Sequence, residues 1–287
     1  MAQRSIRWGA LALLLLAAGL AAQDKAEAPA GRRVLSAGHS FHVFVPGILR
    51  ELAAGAGIKD HVQVDVQSIG GSRVVQHWDL AEEKNKAKTA LKTGKVDVLT
   101  LSPIYLPDEG IANFARLALE HNPDARVTVQ EFWLPFDTFD PARRKVEGLD
   151  RNAMTGEELR RRHEPYFKAM DDHVRELNGK LGKPAVFVVP VGQAVIALRE
   201  RVIAGQAPGI ATQAELFTDG IGHVRGPVQA LNAYCHYAVI YRRSPVGLAV
   251  PGVLAREKRE DEGKLNRLLQ ELAWEAVTAH PLSGVGK

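Results

Sequence analysis

Valine-rich runs of strand length alternate with amphipathic stretches of helix length along most of the chain. Five runs are bounded by Gly, Pro or Asp, namely 32–38, 62–70, 96–102, 125–133 and 184–191. Helical patterns follow them at about 45–56, 73–93, 109–121, 155–179 and 193–204, and two more lie near 226–241 and 256–279. This alternation predicts an α/β fold with a parallel sheet covered by helices on both faces. With 287 residues, 46% of them hydrophobic, the chain can bury a sizeable core.

The first 22 residues are typical of a secretory signal peptide. Arg4 and Arg7 precede an apolar run, and small residues follow around Ala21 and Ala22. A retained single-helix anchor is the alternative, but the run is short for a membrane span. We therefore expect a secreted or periplasmic protein of a bacterial-type envelope, with no stable membrane insertion once the signal is cleaved. Residues 23–31 are expected to be a flexible lead into one domain at 32–287, with a helical insertion at about 141–183.

The composition narrows the classes of partner. The formal charge of +4 includes both signal arginines, so the mature chain is only mildly basic and gives no electrostatic argument for nucleic-acid binding.

Cys235 is the only cysteine and lies in an apolar run, which favours a buried, unreactive thiol. A secreted chain without a disulfide fits a bacterial envelope better than an animal extracellular fluid. The oligomeric state is not predicted.

Ligands of open parallel sheets bind beyond the carboxyl ends of the strands. The first strand is followed there by His39, Ser40 and His42. A serine on a tight strand-to-helix turn exposes its hydroxyl and lies near helix N–H groups that can stabilise an oxyanion. The alternative is that Ser40 only caps the next helix.

A hydroxyl nucleophile needs a base, and the base usually needs a carboxylate to orient it. Asp219 and His223 lie far downstream, in a loop that Gly220 and Gly222 interrupt just before a helical pattern. They form the right chemical pair to activate Ser40. Taken alone, the pair is better interpreted as an Asp that caps a turn and a His on the surface.

In this order the motifs resemble those of the SGNH (GDSL-type) hydrolases, over roughly residues 31–250. Gly38-His39-Ser40 resembles the nucleophile block of that family, Gly71 or Gly70 its oxyanion-hole glycine, and Asp219 with His223 its final block. The resemblance implies a flavodoxin-like three-layer α/β/α sandwich and an esterase without cofactor or metal. The same resemblance implies that Ser40 is the nucleophile, that His223 is the general base and that the Asp219 carboxylate orients the His223 ring. It also implies that the N–H groups of Ser40 and Gly71 form the oxyanion hole.

Three features depart from the family pattern. His39 stands where the family has Asp or Asn, and Asp219 and His223 are four residues apart where the family has three. The third block, which carries an Asn oxyanion donor in the family, reads "LSPIYLPDEG" here. The Ser102 hydroxyl is a candidate substitute for that Asn.

Other residues are candidates for lining the pocket. His39 and His77 lie near Ser40 and the glycine pair, and Glu131 and Trp133 follow the fourth strand. For each, a packing role is the alternative. A zinc site built from His39, His42 and His77 has no supporting ligand spacing, so no metal is expected.

The sequence thus predicts a serine esterase acting on a small-molecule or glycan ester. Short acyl groups such as acetyl on carbohydrate are the preferred substrates, by analogy with the family and from the expected location. Because the family Asn is missing, two alternatives stay open: a non-catalytic carbohydrate- or ligand-binding protein of the envelope that keeps the fold, and a structural envelope protein with a vestigial pocket.

Overall fold

A computed structural model describes residues 28–133 and 150–286. The predicted signal peptide, most of the predicted lead 23–31 and residues 141–149 of the predicted insertion lie outside these ranges. Among the described residues, no helix combines the length and the apolar character needed to cross a membrane.

Five strands form one parallel sheet, in the order β2-β1-β3-β4-β5. The strands are β1 (Arg33–Gly38), β2 (Val62–Ser68), β3 (Val98–Leu101), β4 (Arg126–Gln130) and β5 (Val186–Val189). Each lies inside one of the five valine-rich runs. The predicted parallel sheet is therefore confirmed.

Helices cover both faces of this sheet. They are α1 (Val45–Gly55), α2 (Val74–Trp78), α3 (Lys86–Lys92), α4 (Glu109–His121), α5 (Gly156–Leu181), α6 (Val191–Ile203), α7 (Gly226–Tyr241), α8 (Gly252–Ala255) and α9 (Glu262–Ala279). Helices α1, α6, α7 and α9 contact one another in one layer, and α2, α3 and α4 pack together in the other. The result is the predicted three-layer α/β/α sandwich.

The order of the strands determines where a ligand can enter. The chain runs from β1 outward to β2 and then crosses back to β3, on the other side of β1. Such a reversal leaves a crevice at the carboxyl ends of the strands. Ser40 follows β1 by two residues and therefore lies at this crevice.

The stretch 73–93 is not the single helix that the sequence predicts. It contains α2, a short 3-10 turn at Glu82–Lys84 and α3. Asn85 causes the break, because its side-chain oxygen accepts from the N–H of Lys88 and caps α3. Its amide group donates to the carbonyls of His77 and Trp78, which have no partner within α2.

The part of the predicted 141–183 insertion that the structure describes is mainly α5. This helix connects β4 to β5 and packs on β5 and α6. It begins at the predicted cap, where the Thr155 hydroxyl accepts from the N–H of Glu158 at 3.2 Å.

Helix α7 is buried on nearly all sides. Gln229 is its one residue that is not fully buried. Such a helix belongs to the interior of a domain. Cys235 lies on it with no exposed surface, and burial raises the pKa of its thiol.

Candidate active site

A helical turn connects β1 to α1. The N–H groups of His42 and Val43 both donate to the carbonyl of His39, at 2.8 and 3.1 Å. Phe41 and His42 point into the core, whereas Ser40 is half-buried and Val43 is exposed. The turn therefore carries the Ser40 hydroxyl on its open side.

The structure brings Ser40, His223 and Asp219 together in one chain of hydrogen bonds. The Ser40 hydroxyl lies 2.8 Å from Nε2 of His223. Nδ1 of the same ring lies 2.6 Å from Oδ2 of Asp219. A carboxylate in that position favours the tautomer with the proton on Nδ1, which leaves Nε2 free to accept the serine proton.

Asp219 and His223 are four residues apart, one more than in the resembling family. The loop between them accommodates this residue because its backbone folds around the Asp219 carboxylate. Oδ1 of Asp219 accepts from the N–H groups of Ile221, Gly222 and His223, at 2.9–3.1 Å. Gly222 has a φ of 98°, a conformation that favours glycine. The spacing of four is thus compatible with a bond between the two side chains.

The same contacts keep Asp219 ionised. Partial burial acts to raise the pKa of its carboxyl, but the hydrogen bonds from the His223 ring and from backbone N–H groups outweigh it and lower the pKa. A negative charge is therefore held beside the imidazole at neutral pH.

The stacked rings of Phe41 and Trp133 contact the loop that carries Asp219 and His223. The indole N–H of Trp133 donates to the carbonyl of Gly222 at 2.8 Å. Phe41 stacks on Trp133 with 4.7 Å between ring centroids and meets the His223 ring edge-on at 5.1 Å. Only 2% of Trp133 is exposed. It positions the loop, which is the packing role that the sequence left open for it.

His39 is buried and joins the nucleophile turn to the end of β3. Its Nδ1 accepts from the N–H of Phe41, so the neutral ring carries its proton on Nε2. That proton points to the Ser102 hydroxyl oxygen, 3.1 Å away. Ser102 is 1% exposed, and no other hydrogen bond of its side chain is found among the described residues.

His77 supports the turn that contains Gly70 and Gly71. Its ring lies 2.8 Å from the Ser72 hydroxyl, which donates to the carbonyl of Ile69. Gly71 lies at the exposed tip of this turn with a φ of 61°. His77 is 1% exposed and supports the turn from inside the protein, which is the structural role that the sequence left open for it.

Glu131, the other candidate at the end of the fourth strand, has hydrogen-bond partners inside the protein. It is fully buried and accepts from the backbone and side-chain amides of Gln193, at 3.2 and 2.7 Å. His280 lies 3.6 Å from it. These contacts give Glu131 a packing role beside α6.

His42 belongs to a buried polar network beneath the nucleophile turn. Its ring nitrogens bond Gln130 at 2.8 Å and Thr100 at 2.9 Å. Gln130 also bonds His236 of α7 and donates to the carbonyl of Phe41. The network thus links α7 to the residue that follows Ser40.

The hydrogen bonds described above thus give His39, His42 and His77 different partners. In the part of the chain that the structure describes, no group of three or more His, Cys, Asp or Glu side chains is arranged to hold a metal ion.

The buried histidines make stability depend on pH. Burial lowers the pKa of His42 and of His77 to about 4, and it lowers the pKa of His236 as well. Histidines in the unfolded chain bind protons below about pH 6.5, whereas these three stay neutral in the folded protein. Stability should therefore fall as the pH drops from about 6.5 to 4, by up to about 1.4 kcal/mol per pH unit for each histidine.

Urea unfolding followed by tryptophan fluorescence checks this expectation. The free energy of unfolding should be clearly lower at pH 5 than at pH 7. Equal values would show that these histidines do not titrate differently in the folded and unfolded states.

No protein-family model matches the chain, and no curated protein matches it either. Its fold is similar to that of a DUF4886 family protein from Bacteroides uniformis ATCC 8492, with a TM-score of 0.52 and 14% identity over 86% of this chain and 95% of that chain. A "putative GDSL-like lipase" from Parabacteroides merdae ATCC 43184 has a TM-score of 0.41 and 12% identity over 87% of this chain and 97% of that chain. At such identities the likeness to the first structure concerns the fold alone. The class defined is a three-layer α/β/α protein with a serine, a histidine and an aspartate joined at its crevice.

Proposed function

We propose that the protein is a serine esterase that hydrolyses carboxylic esters through an acyl-serine intermediate. The observation that carries the proposal is the chain of hydrogen bonds from the Ser40 hydroxyl through the His223 ring to Asp219. A half-buried serine next to an oriented imidazole has the geometry that nucleophilic catalysis requires.

In the first half of the reaction, the Ser40 oxygen attacks the ester carbonyl while Nε2 of His223 takes its proton. Asp219 stabilises the imidazolium that forms. The tetrahedral intermediate then collapses, the bond to the alcohol oxygen breaks, and His223 gives its proton to the departing alcohol. In the second half, water attacks the acyl-serine with His223 again as base, and the acid and free Ser40 result.

The backbone N–H groups of Ser40 and Gly71 are the proposed donors to the oxyanion, with Gly70 next to them. The Ser102 hydroxyl is the proposed third donor, in place of the Asn of the resembling family. Its oxygen accepts from His39, which leaves its own proton available for another acceptor.

Replacing Ser102 with alanine is therefore expected to lower kcat on the order of 100-fold, because one oxyanion donor is lost. The KM should change little, since the oxyanion forms only in the transition state. Steady-state kinetics with p-nitrophenyl acetate measures both constants. An unchanged kcat would remove Ser102 from the oxyanion hole and leave it only its contact with His39.

The substrate class and the location belong to the same proposal. We propose small-molecule or glycan esters with short acyl groups, and acetylated carbohydrate as the first substrate to test. A secreted or periplasmic protein would meet such esters in the cell envelope. The proposed steps use only groups of this chain and require no cofactor.

Turnover of p-nitrophenyl acetate, followed by a panel of acetylated sugars, tests the proposal. The protein should release p-nitrophenol well above the rate of its Ser40→Ala variant. If both release it equally slowly while an acetylated sugar binds by calorimetry, the non-catalytic binding protein is the correct alternative.

A further inference from the structure

The nucleophile turn presents an aliphatic side chain beside Ser40. Residues 39–43 form a helical turn, in which positions three apart lie on the same face. Ser40 and Val43 are such a pair. Val43 is 38% exposed, whereas Phe41 and His42, which lie between them, are buried. Val43 therefore shares the open side of the turn with the serine hydroxyl.

The histidine loop presents a second aliphatic side chain at the same place. Ile221 lies two residues before His223, in the loop that wraps around the Asp219 carboxylate. It is 48% exposed. Because the His223 ring bonds the Ser40 hydroxyl, Ile221 and Val43 belong to the two segments that meet at the nucleophile.

Exposed aliphatic residues of this size are rare elsewhere on the surface. In the described ranges 28–133 and 150–286, the exposed large hydrophobic residues are Val43, Val62, Ile203 and Ile221. Val62 begins β2 and Ile203 ends α6, so both lie at the end of the sandwich opposite the carboxyl ends of the strands. The other two, Val43 and Ile221, lie in the segments that carry Ser40 and His223 of the proposed active site.

The aromatic rings near Ser40 do not offer a stacking face to a sugar. Phe41, Phe132 and Trp133 pack against one another and are at most 3% exposed. The aromatic rings are therefore buried beneath this surface, whereas the aliphatic side chains of Val43 and Ile221 are exposed on it.

We infer that Val43 and Ile221 form an apolar rim that binds an alkyl group of the substrate. The inference rests on the proposed esterase function and replaces the acetylated carbohydrate proposed above with another substrate class: esters that carry an alkyl chain, on either the acyl or the alcohol side. Each methylene group that the rim buries adds about 0.8 kcal/mol of binding, or roughly fourfold in kcat/KM where burial is complete.

Two series of esters distinguish the two sides. The acyl series consists of p-nitrophenyl acetate, butyrate and hexanoate, and the alcohol series of ethyl, butyl and hexyl acetate, followed by acid release. The variants are Val43→Ser, Ile221→Ser and both together. Val62→Ser and Ile203→Ser are matched controls, because they make the same kind of change at equally exposed positions far from Ser40.

In either the acyl series or the alcohol series, the natural protein should have a kcat/KM about tenfold or more higher for the six-carbon chain than for the two-carbon chain. The double variant should lose most of this preference, and both controls should retain it. Equal kcat/KM along both series, or a preference that the double variant keeps, would overturn the rim while p-nitrophenyl acetate turnover still supports the esterase. Absence of any Ser40-dependent hydrolysis would overturn the proposed function and the rim together.

Discussion

Replacing Ser40 with alanine is expected to lower kcat for p-nitrophenyl acetate by on the order of 10⁴-fold or more, because the proposed acyl intermediate forms on the Ser40 hydroxyl. His223→Ala should cause a loss of the same size. The double variant should be no worse than either single variant, since the two side chains act as one unit across their 2.8 Å hydrogen bond.

A matched control is His121→Ala, which removes an exposed histidine at the end of α4. Its kcat should equal that of the natural protein. Losses that add up in the double variant would mean that Ser40 and His223 act independently, which the proposed mechanism does not allow.

Replacing Asp219 with asparagine is expected to lower kcat by on the order of 10³–10⁴-fold through the tautomer of His223. Three backbone N–H groups point to Oδ1 of Asp219, so the amide oxygen of asparagine should take that position. Its NH₂ group would then occupy the position of Oδ2 and donate to Nδ1 of His223. The ring proton would move to Nε2, where it prevents the ring from accepting the Ser40 proton.

The loop should keep its shape in this variant, so stability should change much less than activity. Asp172→Asn is the control, because Asp172 lies on the solvent side of α5, where its partners among the described residues are Lys168 and Arg175. Kinetics and urea unfolding of both variants separate the two effects. A kcat near that of the natural protein for Asp219→Asn would show that the carboxylate does not set the tautomer.

Much of this fold could be predicted from the sequence, because buried parallel strands read as continuous valine-rich runs. All five strands lie where such runs predict them, and α4 has the predicted bounds. The break between α2 and α3 was missed because it depends on the Asn85 side chain, which bonds carbonyls seven and eight residues away. Propensity patterns do not include such contacts.

The sequence also placed Ser40, Asp219 and His223 as candidates, and the structure brings them together. It could not show how a spacing of four would work, since the answer is three N–H groups folded around Oδ1 of Asp219. For Trp133 and Glu131, which end a strand, the sequence left a pocket role and a packing role open. Both are buried, and Trp133 bonds the Gly222 carbonyl while Glu131 bonds Gln193.

The supporting residues were the hardest to predict. Gln130 of β4 donates to the Phe41 carbonyl in the nucleophile turn, and His236 of α7 bonds Gln130. Both residues are far from this turn in sequence. No motif marks either of them. The one signal that the sequence offers is a polar residue within a valine-rich strand run or a mostly apolar helix, and Gln130 and His236 both show it.

Labelling with a fluorophosphonate probe tests the central claim most directly, because the probe reacts only with a serine that is activated as a nucleophile. Mass spectrometry of the digested protein should find the probe on Ser40, and labelling should be lost in Ser40→Ala and strongly reduced in His223→Ala. An unlabelled Ser40 in the folded natural protein, or equal labelling in His223→Ala, would contradict the account.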